Sequence, residues 1–301
     1  MATSVLSKNE RKLRRKSLLH KILGQCAIWI VLIVMYIPIL VLIAYSFNSS
    51  ANIVFDSSVP YVFTWQLYSD LFHSKEIMTA LGNTLLIAII SSVLSTILAT
   101  CGAIGAYYSK RRSREVLETV NQIPVVNAEI VIALSLTVMF VFFQSYILGG
   151  ANVFGFWTLM FGHMVLQVPF VYLSVKPKLQ QMDPALYEAA LDLGCTQRQA
   201  LFKATIPEIM PGVASGFLLA ITLSLDDFIV TAFTRGAGLL SGDKSIETLS
   251  TLVQAKIKKG PIPPEMRALT TIIFGLVLVV AVLVTIYHNV GSKKTHKERR
   301  A

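Results

Sequence analysis

The chain has 301 residues, of which 54% are apolar and only 15% are charged, and its mean hydropathy is +0.62. Soluble domains are closer to 45–50% apolar and about 25% charged, so the composition argues against a soluble protein and indicates an integral membrane protein. The formal net charge of +10 is concentrated in a few segments. It therefore points to membrane topology and contact with anionic lipid rather than to nucleic-acid binding.

The apolar residues fall in six blocks, each close to the roughly 20 residues that cross about 30 Å of hydrocarbon. We predict spans at about 25–47, 80–108, 123–146, 156–177, 209–234 and 267–290. A helix satisfies its own backbone polar groups in lipid. The predicted fold is therefore an all-α integral membrane protein, a six-helix transmembrane bundle. The first block is longer than the 7–15-residue core of a signal peptide, which predicts a retained anchor.

Basic residues cluster in segment 1–24, in the loop at 110–114 and in the tail 291–301. With six spans these segments share one side of the membrane, which the positive-inside rule assigns to the cytoplasm. We therefore predict basic cytosolic segments at both ends of a six-span domain at 25–290. The predicted external loop 235–266 is an exception, since it holds four lysines.

Motifs for independent catalysis are missing from the sequence. It has no phosphate-binding loop of the required spacing, no histidine pair at metal-ligand spacing and no Gly-x-Ser-x-Gly elbow. Its three cysteines follow no metal or disulfide pattern. We expect this chain to be no enzyme and to bind neither a metal nor a cofactor itself.

The segment 178–208 is a polar, helix-forming insert between two apolar spans. Asp183 followed by Pro184 is a helix start signal, and Gly194 predicts that this helix ends in a left-handed residue. A second helix is predicted from about 196 to 204, ending near Pro207. The residues alone fit either a docking surface for a partner or an amphipathic hairpin packed on its own bundle.

Three acidic residues lie inside predicted spans. Asp226 is about 15 residues, or roughly 22 Å, from Pro211 near the cytosolic end of span five, which places it in the outer part of the bilayer. Adjacent residues on a helix differ by about 100°, so Asp226 and Asp227 should not face the same way. The pair fits a cation relay or a structural pair that holds helices together. Glu129, about six residues into span three, fits the inner exit of a path or a salt bridge to a basic loop.

The insert contains Glu188-Ala189-Ala190, then Gly194, then Ala204-Thr205-Ile206-Pro207. This run resembles the EAA loop of permease subunits of bacterial ABC importers, although Ala204 and Ile206 replace the usual Ile and Leu. In that family the loop forms a coupling helix that inserts into a cleft of the ATPase subunit. The resemblance thus implies that Glu188, Ala189, Ala190, Gly194 and Pro207 couple this chain to an ATPase.

Three further segments narrow the resemblance to the PotC-type spermidine/putrescine permease family: residues 46–50, 223–228 and 264–269. The similarity extends from about Tyr36 to His288. The chain departs from the family pattern in its long basic N-terminus and in Arg267, which stands where family members commonly carry Asn.

The resemblance implies a permease subunit of an ATP-driven polyamine importer in the bacterial inner membrane, with Asp226, Asp227 and Glu129 along the substrate path. It also implies a second homologous permease, two ATPase subunits that bind ATP and Mg, and an external solute-binding protein. That protein would meet the loop 235–266, which alternatively lies on the bilayer surface. An importer of an iron chelate, thiamine or an aminophosphonate stays open. A stand-alone secondary transporter would need paired broken helices and internal repeats, which the sequence does not reveal, and it leaves the EAA loop unexplained.

Overall fold

The computed structural model describes residues 8–48, 62–147, 149–150, 153–235, 246–259, 263–275 and 278–279. These residues are almost entirely helical: α1 (Lys8–Ser46), α2 (Gln66–His73), α3 (Lys75–Tyr108), α4 (Arg111–Val126), α5 (Glu129–Phe142), α6 (Phe156–Gln181), α7 (Pro184–Asp192), α8 (Gln197–Ala200), α9 (Ile206–Asp226), α10 (Ile229–Thr234) and α11 (Leu249–Lys259). Residues 264–275 are helical as well. The described part holds no strand beyond an isolated bridge between Asn48 and Phe63, so the all-α prediction is confirmed.

Five helices in the described residues are long and apolar enough to cross a membrane: Gln25–Ser46, Lys75–Tyr108, Glu129–Ile147, Phe156–Gln181 and Gln197–Asp226. They correspond to the first five predicted spans. Most of the predicted sixth span, 267–290, lies outside the described residues, as does the tail 291–301. Since α1 extends from Lys8 to Ser46, residues 8–24 of the basic segment and the first span form one continuous helix.

The described residues within 1–73 and 261–301 belong to one compact unit. In it, the end of α1 is fixed to the segment before α2. Ser46 Oγ donates to Ile43 O at 2.7 Å, so Tyr68 OH donates to Ser46 Oγ at 2.9 Å. The Phe47 ring stacks on Phe63, and the Trp65 and Tyr68 rings pack around it. An aromatic cluster therefore closes the end of the first span.

Residues 74–260 form the second unit, in which α3, α6 and α9 pack against one another. Small side chains, including Ala99, Ala103 and Ala220, occupy the core between them. A Cβ at Gly216 would lie 2.9 Å from Val171 Cγ1, so α9 and α6 approach too closely for a larger residue. Close backbone packing through small residues is typical of membrane helices, because lipid supplies no hydrophobic force to drive helices together.

Helix α11 lies within the predicted external loop 235–266. Residues 236–245 and 260–262 of that loop lie outside the described residues. The helix is attached to α3: Leu249 N donates to Thr84 Oγ1 at 2.8 Å, and Lys256 Nζ lies 2.7 Å from Glu76 Oε2. These contacts tie α11 to the bundle.

Candidate functional site

The predicted coupling loop begins with α7, and its ends are those that the sequence indicates. Asp183 Oδ1 accepts from Ala185 N at 2.9 Å, and Pro184 occupies the first turn. Gly194 has a φ of +83°, and the next amide, Cys195 N, donates to Ala190 O at 3.1 Å. This bond pattern with a left-handed glycine is a standard helix termination. The start and end predicted for this helix are confirmed.

The surface of α7 faces away from the bundle. None of its residues is buried, and Glu188 and Ala189 are exposed, while Ala190 is partly covered. Two leucines, Leu186 and Leu193, are 46% and 86% exposed. An apolar, slim helix face of this kind fits a partner better than it fits the chain's own core.

The second helix of the loop does not end near Pro207, and that prediction is wrong. The chain stays helical from Gln197 to Asp226. Residues Leu201–Thr205 form a π-helical turn in which Ile206 N donates to Leu201 O. Pro207 has no N–H to donate. The wider turn before it lets the helix continue without that bond, so the proline does not act as a stop.

Span five is interrupted at the acidic pair. α9 ends at Asp226, Asp227 has an extended backbone (φ −64°, ψ 120°), and α10 starts at Ile229. The Asp227 side chain is fixed by the new helix: Oδ1 accepts from Val230 N at 3.1 Å, and Oδ2 accepts from Thr231 N at 2.8 Å and Thr231 Oγ1 at 2.7 Å. The predicted continuous helix over 209–234 is therefore wrong, because a carboxylate that satisfies the first amides of a helix stabilises a break there.

A second break faces the first. α4 ends at Val126, Asn127 and Ala128 are extended, and α5 starts at Glu129. Span three thus begins six residues later than predicted, and Glu129 is its first residue. The charged groups that act on Glu129 are the carboxyls of Asp227 and Asp226. Among the described residues no basic side chain forms the predicted alternative salt bridge with Glu129.

The two breaks enclose a cavity of about 280 Å³. Its polar lining comprises Asn127, Glu129, Thr222, Asp226 and Asp227, and its apolar lining includes Leu166, Phe170 and Leu223. No lysine or arginine is among the lining residues within the part of the chain that the structure describes. The sequence places Glu129 near one end of the path and the aspartates near the other, whereas the structure brings all three to one wall. Both aspartates are among the lining residues, and the Asp227 side chain is buried with its oxygens bonded to α10. The break also removes the continuous helix for which the 100° offset was predicted.

This lining selects for a particular chemistry. The carboxyl groups have no lysine or arginine beside them among the described lining residues, so their combined potential favours a positively charged solute. Each ammonium group that leaves water needs oxygen ligands in replacement, and carboxylate and amide oxygens are present. The adjoining leucine and phenylalanine side chains suit methylene segments. The cavity is therefore complementary to a small cation that carries both amines and hydrocarbon.

Behind the cavity lies a buried polar network that the sequence reasoning missed. His163 Nδ1 and Nε2 lie 2.9 Å from Ser224 Oγ and from Thr231 Oγ1, and Nε2 is 3.4 Å from Asp227 Oδ2. Gln167 extends the network to Ser91 and Ser95 on α3: Ser95 Oγ donates to Oε1 at 2.8 Å, and Nε2 donates to Ser91 Oγ at 3.0 Å. The sequence spacing could have indicated this network. His163 and Gln167 are four residues apart, as are Ser91 and Ser95, so the members of each pair share a helix face.

Comparison with known proteins agrees with this organisation. Residues 98–295 match the family model for the binding-protein-dependent transport system inner membrane component. The spermidine/putrescine transport system permease protein PotC of Escherichia coli (strain K12) is 32% identical over 248 residues, which cover 82% of this chain and 87% of that protein. The putrescine transport system permease protein PotI of the same strain is 32% identical over 247 residues, covering 82% and 83%.

Solved structures share the fold. A chain of a bacterial ABC transporter involved in the import of the acidic polysaccharide alginate superposes with a TM-score of 0.68 at 18% identity, covering 94% of this chain and 98% of that one. A chain of the alginate transporter in complex with an alginate pentasaccharide-bound periplasmic protein gives 0.65 at 18% identity, covering 91% and 94%. With a family model that matches two thirds of its length, the multi-pass membrane chain described here belongs to the inner membrane components of binding-protein-dependent transport systems and is a transport subunit of the ABC permease type.

Proposed function

We propose that this chain is a permease subunit of an ATP-driven importer of polyamines such as spermidine and putrescine. One observation carries the proposal: Glu129, Asp226 and Asp227 converge on one cavity, and none of the described residues that line it is a lysine or an arginine. A polyamine supplies several ammonium groups to such a wall, and its methylene segments meet Leu166 and Phe170. The relatives named for spermidine and putrescine transport support the same substrate class.

The other solutes fit this wall less well. An aminophosphonate or an anionic iron chelate carries negative charge that three carboxyl groups repel. Thiamine carries a single permanent positive charge, which leaves most of the acidic wall unpaired. The two helix breaks are a feature of secondary transporters, but family membership and the exposed EAA loop favour an ATP-driven importer.

The proposed partners are those that the family resemblance implies, and each is assigned here to a surface of the chain. The exposed face of α7, with Glu188, Ala189, Ala190 and Gly194, docks into one of two ATPase subunits, which bind ATP and Mg in place of this chain. Pro207 lies one π-helical turn further, where the coupling loop becomes span five. A second homologous permease and membrane lipid cover the apolar side chains exposed along the spans. An external solute-binding protein delivers the polyamine at the loop 235–266, and no nucleic acid is involved.

The proposed location is the bacterial inner membrane, with both termini in the cytosol. The basic residues at both ends of the chain support this orientation. Single cysteines placed at Ser4 or Thr295 should react with an impermeant maleimide only after the cells are opened. A cysteine in loop 235–266 serves as the matched external control. Labelling of Ser4→Cys or Thr295→Cys in intact cells would refute the orientation.

Reconstitution tests the substrate. The chain is purified together with its permease and ATPase partners, placed in liposomes with ATP inside, and supplied with the binding protein and labelled spermidine or putrescine outside. We expect ATP-dependent accumulation of label, competed by unlabelled polyamine and not by an aminophosphonate. ATP-dependent uptake of another solute, with no polyamine uptake by an assembled complex, would overturn the assignment.

A further inference from the structure

One buried histidine contacts both sides of the helix break at the acidic pair. His163, in the N-terminal third of α6, is 1% exposed. Its Nδ1 meets Ser224, which belongs to α9 before the break, and its Nε2 meets Thr231, which belongs to α10 after it. A single rigid ring therefore bridges two helix segments that no continuous backbone ladder joins.

The hydrogen-bond directions in this bridge are determined by its neighbours. The Thr231 hydroxyl donates to Asp227 Oδ2 at 2.7 Å, so its oxygen accepts from His163 Nε2–H. In the neutral ring, Nδ1 then lacks a proton and accepts from Ser224 Oγ–H. Every polar atom of the ring is satisfied in one tautomer. The orientation of the ring is thus fixed by donors and acceptors as well as by packing.

The bridge acts on the carboxylate that lines the cavity. Asp227 Oδ2 receives the hydroxyl that His163 orients, and His163 Nε2 itself lies 3.4 Å away. Asp227 is 4% exposed, so loss of one partner leaves a carboxylate oxygen that water does not readily reach. A rotated Asp227 side chain would release the first amides of α10 and withdraw its charge from the cavity wall.

We propose that His163 is a positioning residue for Asp227: it clamps the break between α9 and α10 so that the Asp227 carboxylate stays on the wall of the substrate cavity. The proposal deepens the proposed function and rests on it for the identity of the substrate. The role of the clamp in holding Asp227 is independent of which cation passes.

Gln167 provides a matched control within the same network. It lies one turn from His163 on α6 and is fully buried, and its side chain makes two hydrogen bonds, to Ser95 and to Ser91. It makes no hydrogen bond to Asp227 or Thr231. Gln167→Leu thus removes a comparable buried polar group but none of the hydrogen bonds that His163 makes; its nearest link to the clamp is indirect, through Ser91, which lies 3.4 Å from Ser224.

The first measurement follows hydrogen–deuterium exchange in the assembled transporter, using the peptide that covers residues 227–234. His163→Leu should accelerate exchange of this peptide about fivefold or more, because the amides of Val230 and Thr231 lose their fixed acceptor. His163→Gln, which offers both an amide donor and a carbonyl acceptor, should restore most of the protection. Gln167→Leu should leave the peptide unchanged. Equal exchange in His163→Leu and wild type, or equal acceleration by Gln167→Leu, overturns the proposal.

The second measurement is a double-mutant cycle on initial polyamine uptake per assembled complex, with His163→Leu, Asp227→Asn and the combined variant. If His163 acts through Asp227, His163→Leu should lower uptake about tenfold in the wild-type background and have little further effect beside Asp227→Asn. Effects that multiply contradict the proposal and indicate a general structural role. If the wild-type complex transports no polyamine, the proposed function fails, while the exchange experiment still decides whether His163 holds Asp227.

Discussion

Replacing each of the two adjacent aspartates by asparagine should separate charge from structure, because the two side chains have different surroundings. Asp227 is buried and accepts three hydrogen bonds from α10. Asparagine offers one acceptor oxygen, and its amide group would point at an N–H or O–H donor. Asp226 is exposed, and among the described residues its side chain makes no hydrogen bond, so asparagine there removes little except the charge.

The expected magnitudes follow from these contacts. Asp227→Asn removes at least one hydrogen bond to a charged group, which is worth roughly 1.5–3 kcal/mol. The loss should weaken both the helix break and the cavity wall that the side chain supports. Asp226→Asn should alter stability by less than about 0.5 kcal/mol, the usual range for an exposed site. If Asp226 contacts an ammonium group in transit, its uptake should still fall about tenfold to hundredfold.

The assay measures thermal unfolding of the purified complex and initial uptake of labelled spermidine normalised to assembled complex. We expect Asp227→Asn to lower both quantities and Asp226→Asn to lower uptake alone, while Asp226→Glu, which keeps the charge, retains most of the uptake. Unchanged uptake in both asparagine variants would refute a role for these carboxylates in the path. Equal loss of stability in both variants would refute the structural distinction between them.

Three further predictions concern coupling, pH and packing. Gly194→Pro should abolish ATPase stimulation by substrate-loaded binding protein without preventing membrane insertion, because proline cannot adopt a φ of +83°. Gly194→Ala should lower the stability of the loop by only about 1 kcal/mol. Normal stimulation in the proline variant would contradict this prediction. Hydrogen bonds from Lys176 and then Arg114 hold the pKa of Glu118 below its usual 4.5. The stability that Glu118 contributes should therefore be present above pH 4.5 and lost as pH falls toward the lowered pKa. A melting-temperature difference between wild type and Glu118→Gln that does not shrink in acid would exclude this contribution. Gly216→Leu should reduce the yield of assembled complex, because the larger side chain separates α9 from α6. Gly102→Ala should not reduce the yield, since Gly102 has open space around it. Equal yields of the two variants would disprove the tight packing.

The features that the sequence predicts well depend on neighbours in the chain. The first and fourth spans, predicted at 25–47 and 156–177, are observed at Gln25–Ser46 and Phe156–Gln181, because hydrocarbon thickness sets the length of an apolar run. The start at Asp183 and the left-handed Gly194 are likewise local, since a cap and a positive φ are chosen by single residue types.

The features that the sequence does not predict depend on contacts between distant segments. Apolar residues continue on both sides of the pair Asp226–Asp227, so hydropathy predicts a single span. The break depends on the hydrogen bonds that Asp227 accepts from Val230 and Thr231. At Pro207 the sequence predicts a helix end that the structure does not show. The π-helical turn before the proline compensates for its missing N–H donor, and the helix continues. The position of Glu129 beside Asp227 follows from both breaks together, and no local pattern records it.

The continuity of the helix past Pro207 gives the proposed coupling a direct physical form. From Gln197 in the coupling loop to Asp226 at the cavity the chain forms one helix of 30 residues, about 45 Å long at 1.5 Å per residue. A packed helix moves as a body rather than stretching, so a displacement of α7 on the proposed ATPase partner, passed to Gln197, would be transmitted along this rod to the end that carries Asp226. Asp227, in contrast, is bonded to α10 and, through Thr231, to His163 on α6. Because His163 also bonds Ser224 on α9, a movement of α9 against α6 would act on the clamp that holds Asp227. In the proposed transporter this would connect ATP-driven motion at the loop to the affinity of the cavity for a cation.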